Sequence, residues 1–114
     1  MGKLHSLQTD AALHGARLVI DLDAISANYR KLAAMAAPAR TAAVVKADAY
    51  GLGLNPVVKA LYEAGCKTFF VAHAFEGRAT RAIAPLATIY VLNGMRPNTA
   101  PLYADFNLIP VLPK

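Results

Sequence analysis

The sequence predicts an α/β fold in which parallel strands alternate with helices. Two observations carry this expectation. Short apolar runs of β character recur along the chain, and most are continuously apolar instead of alternating, as strands covered on both faces are. Between them lie amphipathic helical runs with interpretable ends. The composition agrees: 56% of the 114 residues are hydrophobic against 17% charged. That balance suits helices packed on a buried sheet and argues against disorder.

The β-type runs are residues 17–21 (RLVID), 41–46 (TAAVVK), 68–72 (TFFVA), 88–92 (TIYVL) and 108–112 (LIPVL). Pro110 weakens the last of these, because proline removes a ladder donor. Asp23 is placed to cap a helix over residues 24–36, where Ile25, Tyr29, Leu32 and Ala36 share one face and Pro38 follows the stop. Asn55 followed by Pro56 signals a second start, a capping side chain and then proline at the first helical position. That helix runs to Ala64, with Gly65 placed for a left-handed cap. A third helix spans residues 75–83 and ends before Pro85; a fourth, short one follows Pro97 within residues 98–105. Helical connections of this length imply parallel pairing through right-handed crossovers. The pattern fits an open doubly wound sheet and a piece of a (β/α)8 barrel equally, a complete barrel needing about 250 residues.

Bulk properties narrow the function classes. The net charge is +5, but the twelve Lys and Arg are dispersed, with no basic run and no Arg–aromatic tract. This describes a solvated surface and gives no sign of a nucleic-acid partner. The single cysteine, Cys66, excludes an internal disulfide framework and a multi-cysteine zinc site, and its apolar neighbourhood predicts a buried, inert thiol. His5, His14 and His73 lack metal-ligand spacing, so no metal site is expected. The N-terminus carries no apolar core of signal-peptide length, and no run is long enough to span a bilayer. The expectation is a cytoplasmic protein with no membrane partner.

The chemistry concentrates in residues 43–53, AVVKADAYGLG. In parallel α/β folds the carboxyl ends of the strands form the ligand-binding face. Lys46 is predicted as the last residue of its strand, before a loop at residues 47–54, with its amine aimed into a crevice where a neutral amine condenses with a carbonyl. A lysine snorkelling from a strand end is the plainer alternative. The ordered set of strand, Lys46, Asp48, Tyr50, Gly51, Gly53 and a capped helix outweighs it. The glycines permit close backbone approach. Tyr50 can set its phenolic hydroxyl beside an anionic group near the amine. Asp48 is expected to order the loop through backbone donors instead of acting as an acid.

AVVKADAYGLG resembles the pyridoxal-phosphate attachment signature of alanine racemases. Further segments are similar to that family in order and spacing: IDLDAISANYRKL (residues 20–32), VAHAFEGRATR (residues 71–81, through Val71, Ala72, Glu76 and Arg81), IYVLNG (residues 89–94) and NLIPVL (residues 107–112). The resemblance covers about residues 17–112. It implies the N-terminal half of a pyridoxal-phosphate-binding (β/α)8 TIM-type barrel, with barrel strands beginning at Thr41, Thr68, Thr88 and Leu108. Residues 1–16 then form a weakly ordered N-terminal extension, and residues 17–114 an incomplete barrel domain. It implies an enzyme, a pyridoxal-phosphate-dependent isomerase that interconverts L- and D-alanine and supplies D-alanine for peptidoglycan. Lys46 would form the internal aldimine and act as one of two catalytic bases; Tyr50 would bind the cofactor phosphate. The opposing base of the family is a tyrosine from the second domain of the partner subunit in a homodimer. Tyr29, Tyr62, Tyr90 and Tyr103 match no such motif and are expected to pack with a polar tip. Leu52 stands where many members carry histidine. The 114-residue chain alone is expected to be inactive. The alternatives are a non-catalytic pyridoxal-phosphate-binding barrel, whose members lack the DAYG continuation, and another amino-acid racemase or decarboxylase of the same fold type.

Overall fold

A computed structural model describes residues 5–6, 19–50 and 53–112. In chain order the elements are β1 (His5–Ser6), β2 (Val19–Ile20), α1 (Leu22–Ala36), β3 (Ala43–Val44), α2 (Lys46–Tyr50), α3 (Leu54–Glu63), β4 (Thr68–Val71), α4 (Ala74–Ile83), β5 (Thr88–Val91), α5 (Ala100–Asp105) and β6 (Leu108–Pro110). Most of the N-terminal extension lies outside the described residues; within it, His5 and Ser6 pair antiparallel with Ile20 and Val19.

The later apolar runs form one sheet in the order β3-β4-β5-β6, every pair parallel. Each strand lies beside its sequence neighbour, as short right-handed crossovers dictate. The fold class is therefore the α/β one the pattern predicts. Its strands, however, are covered on one face only among the described residues. Phe69, Val71, Ile89 and Val91 are fully buried, packed with Val57, Val58 and Leu61 of α3, Ala74 of α4 and Tyr103 of α5. Burial of side chains this size contributes about 1.5–3 kcal/mol each. The register sets the opposite face in a row, Val44–Phe70–Tyr90–Ile109. Val44 and Ile109 are 44% and 41% exposed, and Phe70 stacks on Tyr90 with ring centroids 4.9 Å apart. The apolar character of both faces was legible, but every crossover helix of this unit sits on the same side.

Helix starts shift from their predicted places. α1 begins at Leu22 because Asp21, not Asp23, accepts the Ala24 N–H through its carboxylate at 3.0 Å. Ile25 and Tyr29 pack on the core as expected, whereas Leu32 is 49% exposed. The Ser26 hydroxyl donates to the Ala60 carbonyl at 3.2 Å, fastening α1 to α3. α3 starts two residues before Pro56, with Gly53 (φ 103°) as its cap residue, so Asn55 is inside the helix and does not cap it. Its end follows the prediction. Gly65 takes φ 108°, its N–H reaches the Tyr62 carbonyl at 3.0 Å, and the Cys66 N–H reaches that of Leu61 at 2.9 Å. These two bonds satisfy carbonyls that the helix end leaves open. In α4, Gly77 faces β6 so closely that a Cβ there would lie 2.9 Å from Leu108 Cδ1.

Candidate active site

Lys46, His73 and Asn93 each lie two residues past the carboxyl ends of β3, β4 and β5, at one end of the sheet. The ladder continues one residue past β3, where the buried Val45 donates its N–H to the Phe70 carbonyl at 2.9 Å. Lys46 then opens α2, so the segment predicted as strand end and loop is a short helical turn. The Val45 carbonyl closes that turn by accepting the Ala49 N–H at 2.9 Å. Lys46 is exposed and engaged by none of the described residues. Among the described residues β3 is an edge strand, with β4 as its one sheet neighbour.

Asp48 and Ala49 both adopt left-handed backbone, at φ 57° and 56°. Such conformations cost non-glycine residues roughly 1–2 kcal/mol each, so the turn needs external support. Asp48 provides much of it. Its carboxylate accepts the Leu54 N–H at 2.8 Å and its carbonyl accepts the Gly53 N–H at 2.9 Å. The carboxylate thereby satisfies an orphan donor at the start of α3 and lies favourably near the positive end of its dipole. Asp48 thus orders its loop through backbone donors, as anticipated. Tyr50 closes α2, but its phenol, like Gly51 and Leu52, lies outside the described residues.

Glu76 went unnoticed as a functional candidate in the sequence. One carboxylate oxygen accepts the Ala72 and His73 N–H groups at 2.8 and 3.2 Å; the other accepts the Asp48 N–H at 3.0 Å. The first pair follows from its place three residues after the helix-capping His73, a spacing visible in the sequence. The third bond spans 28 residues and leaves no local trace. An open groove of about 480 Å³ runs between the first turns of α3 and α4, lined by Leu54, Pro56 and Phe75 together with Asp48 and Glu76. Lys46 does not line it.

The remaining singled-out residues are structural. His73 caps α4, and its Nδ1 lies 3.4 Å from Asn93 Nδ2. Cys66 is fully buried, and burial pushes its thiol pKa up, consistent with an inert role. Three of the four tyrosine tips donate or accept as expected: Tyr29 to the Thr41 carbonyl at 3.3 Å, Tyr103 to that of Gly94 at 2.7 Å, and Tyr62 from the Leu86 N–H at 3.3 Å, while Tyr90 stacks on Phe70. Among the described residues, no group of three His, Cys, Asp or Glu could hold a metal ion. No described helix is long and apolar enough to cross a membrane.

The family model for the alanine racemase N-terminal domain matches residues 20–114. The chain belongs to that family. The alanine racemase of Methylobacterium nodulans is 58% identical over 104 residues, which cover 91% of this chain and 28% of the relative. That of Brucella ovis is 54% identical over 99 residues, 86% of this chain and 25% of the relative. A solved structure, alanine racemase from Bartonella henselae with covalently bound pyridoxal phosphate, matches with a TM-score of 0.77 at 47% identity, over 82% of this chain and 27% of that one. The chain therefore spans 25–28% of the length of these curated alanine racemases. Its parallel strands and helices correspond to the N-terminal part of the alanine racemase barrel domain.

Proposed function

We propose that this chain is the N-terminal part of an alanine racemase, with Lys46 as the lysine that carries pyridoxal phosphate and serves as one of two bases. The observation that carries this is the exposed, unengaged amine of Lys46 at the carboxyl end of a parallel strand, on a turn held rigid by Asp48 and Glu76. An amine so placed suits attachment of an aldehyde cofactor. Tyr50 is the residue proposed to hold the phosphate. When bound, pyridoxal phosphate supplies an electron sink that makes the Cα proton of an amino acid acidic.

Inversion at Cα requires a proton to leave one face and return to the other. The Lys46 amine holds or delivers the proton on one face. The second base comes from outside these residues, from a tyrosine of the partner subunit in a homodimer. The proposed product, D-alanine, serves peptidoglycan synthesis in the cytoplasm. Residues 17–114 are proposed as the incomplete barrel domain and residues 1–16 as an extension.

The test combines labelling with turnover. Pyridoxal phosphate is added to the purified chain, the adduct is reduced with borohydride, and the labelled peptide is mapped. Label on Lys46 is expected, and labelling that persists unchanged in Lys46→Ala sinks the assignment. No interconversion of L- and D-alanine is expected from the 114-residue chain alone; measured turnover would overturn the requirement for a second base from outside.

A further inference from the structure

We infer that Glu76 is a positioning residue for Lys46, tying the backbone two residues past the lysine to the first turn of α4. The inference rests on the assignment of Lys46 proposed above. It starts from the division of labour between the two oxygens of one carboxylate. Oε1 accepts the Ala72 and His73 N–H groups, at 2.8 and 3.2 Å. This is what a glutamate three residues into a helix does for the helix itself. Oε2 accepts the Asp48 N–H at 3.0 Å across 28 residues of sequence. Capping α4 does not require that bond.

The bond lands where the backbone most needs it. Asp48 and the buried Ala49 are the left-handed pair of α2, at φ 57° and 56°. Strained turns persist only where their surroundings over-determine them. Every backbone polar group of Asp48 is engaged: its N–H by Glu76 and its carbonyl by the Gly53 N–H, while its carboxylate takes the Leu54 N–H. Of these three links, only the one from Glu76 comes from beyond the β3–α3 connection. It therefore sets the direction of the turn relative to β4, and with it the point from which the Lys46 side chain leaves the sheet. A displacement of about 1 Å at a reacting group costs on the order of a hundredfold in rate, so an anchor two residues away is close enough to matter.

Glu76→Gln separates the two jobs. Glutamine offers one acceptor oxygen and one donor amide. With its oxygen kept on Ala72 and His73, its NH2 confronts the Asp48 N–H, donor against donor. Glutamine serves as well as glutamate at this capping position, so a purely structural role predicts that the substitution is silent. Amide hydrogen exchange and the rate of borohydride-trapped pyridoxyl labelling are measured on the full 114-residue chain and its variants. In Glu76→Gln, exchange at Asp48 is expected to rise about tenfold, the equivalent of one lost hydrogen bond. Exchange at Ala72 should stay within about twofold, and labelling of Lys46 should slow several-fold. Glu76→Ala should raise exchange at both amides. Unchanged exchange at Asp48 in Glu76→Gln overturns the inference, as does faster exchange with no effect on labelling. Loss of protection at Ala72 in that variant also counts against it, because the two roles would then be inseparable. Labelling that survives in Lys46→Ala sinks the lysine assignment and this role together, whereas Lys46-specific labelling indifferent to Glu76→Gln sinks only this role.

Discussion

Replacing Arg81 probes how far backbone carbonyls can substitute for a carboxylate partner. The half-buried guanidinium donates to five main-chain oxygens: Nε to Phe106 at 2.9 Å, Nη1 to Ala84, Pro85 and Ala87, and Nη2 to Asn107 at 3.0 Å. Those on Phe106, Ala84 and Ala87 are partly buried, while those on Pro85 and Asn107 face solvent. At about 1 kcal/mol net per protected bond and close to none for the exposed ones, Arg81→Ala should cost about 3 kcal/mol. Lysine radiates its donors from a single point and cannot reproduce the fork. Arg81→Lys should therefore retain about one protected bond and lose about 2 kcal/mol. Equilibrium urea unfolding followed by circular dichroism reads both values, at an unchanged slope. A lysine variant within about 0.5 kcal/mol of the parent would refute the argument, because any cation would then suffice.

Two further outcomes follow from burial. Phe69 is completely enclosed, so Phe69→Ala should destabilise by about 3–5 kcal/mol in the same assay; a loss below about 1 kcal/mol would mean that the site collapses around the cavity. Burial raises the pKa of Cys66 above its ordinary 9.0 and those of Tyr29 and Tyr103 above 10.0. In each case the fold favours the neutral form, so their stabilisation is fully present below those ordinary values and is lost as pH rises through the raised ones. Stability measured against pH should decline from about pH 9 upward, later in Cys66→Ala, and a flat profile through the tyrosine range contradicts the assignment.

What was legible in the sequence is what depends on near neighbours. Gly65 was readable as a helix-ending glycine because its bonds reach back only to Leu61 and Tyr62. Cys66 and the strands beginning at Thr68 and Thr88 were readable from continuous apolar character. The start of α1 slipped because Asp21 and Asp23 are two acids on either side of Leu22, and sequence alone does not say which carboxylate meets the free Ala24 N–H. The Asn55–Pro56 signal failed for a different reason. Asp48, six residues before Leu54, supplies the acceptor that a local cap would have given. The motif around Lys46 pointed to the family, but the helical turn that Lys46 opens was not legible, since Glu76 supports that turn from another element. The row from Val44 to Ile109, exposed at its two ends, carries apolar residues on a face the described helices do not cover, so composition could not reveal one-sided packing.

Glu76 and Arg81 lie five residues apart on α4, which places them roughly 140° apart around its axis. One is anchored toward the Lys46 turn, the other toward the carbonyls of Phe106 and Asn107 ahead of β6. A rod pinned on two flanks cannot roll, because rotation in either sense pulls one pin away from its seat. With Gly77 pressed against Leu108 between the pins, α4 has little room to slide either. Torque on the last strand is thereby carried along a single helix to the turn that begins at Lys46.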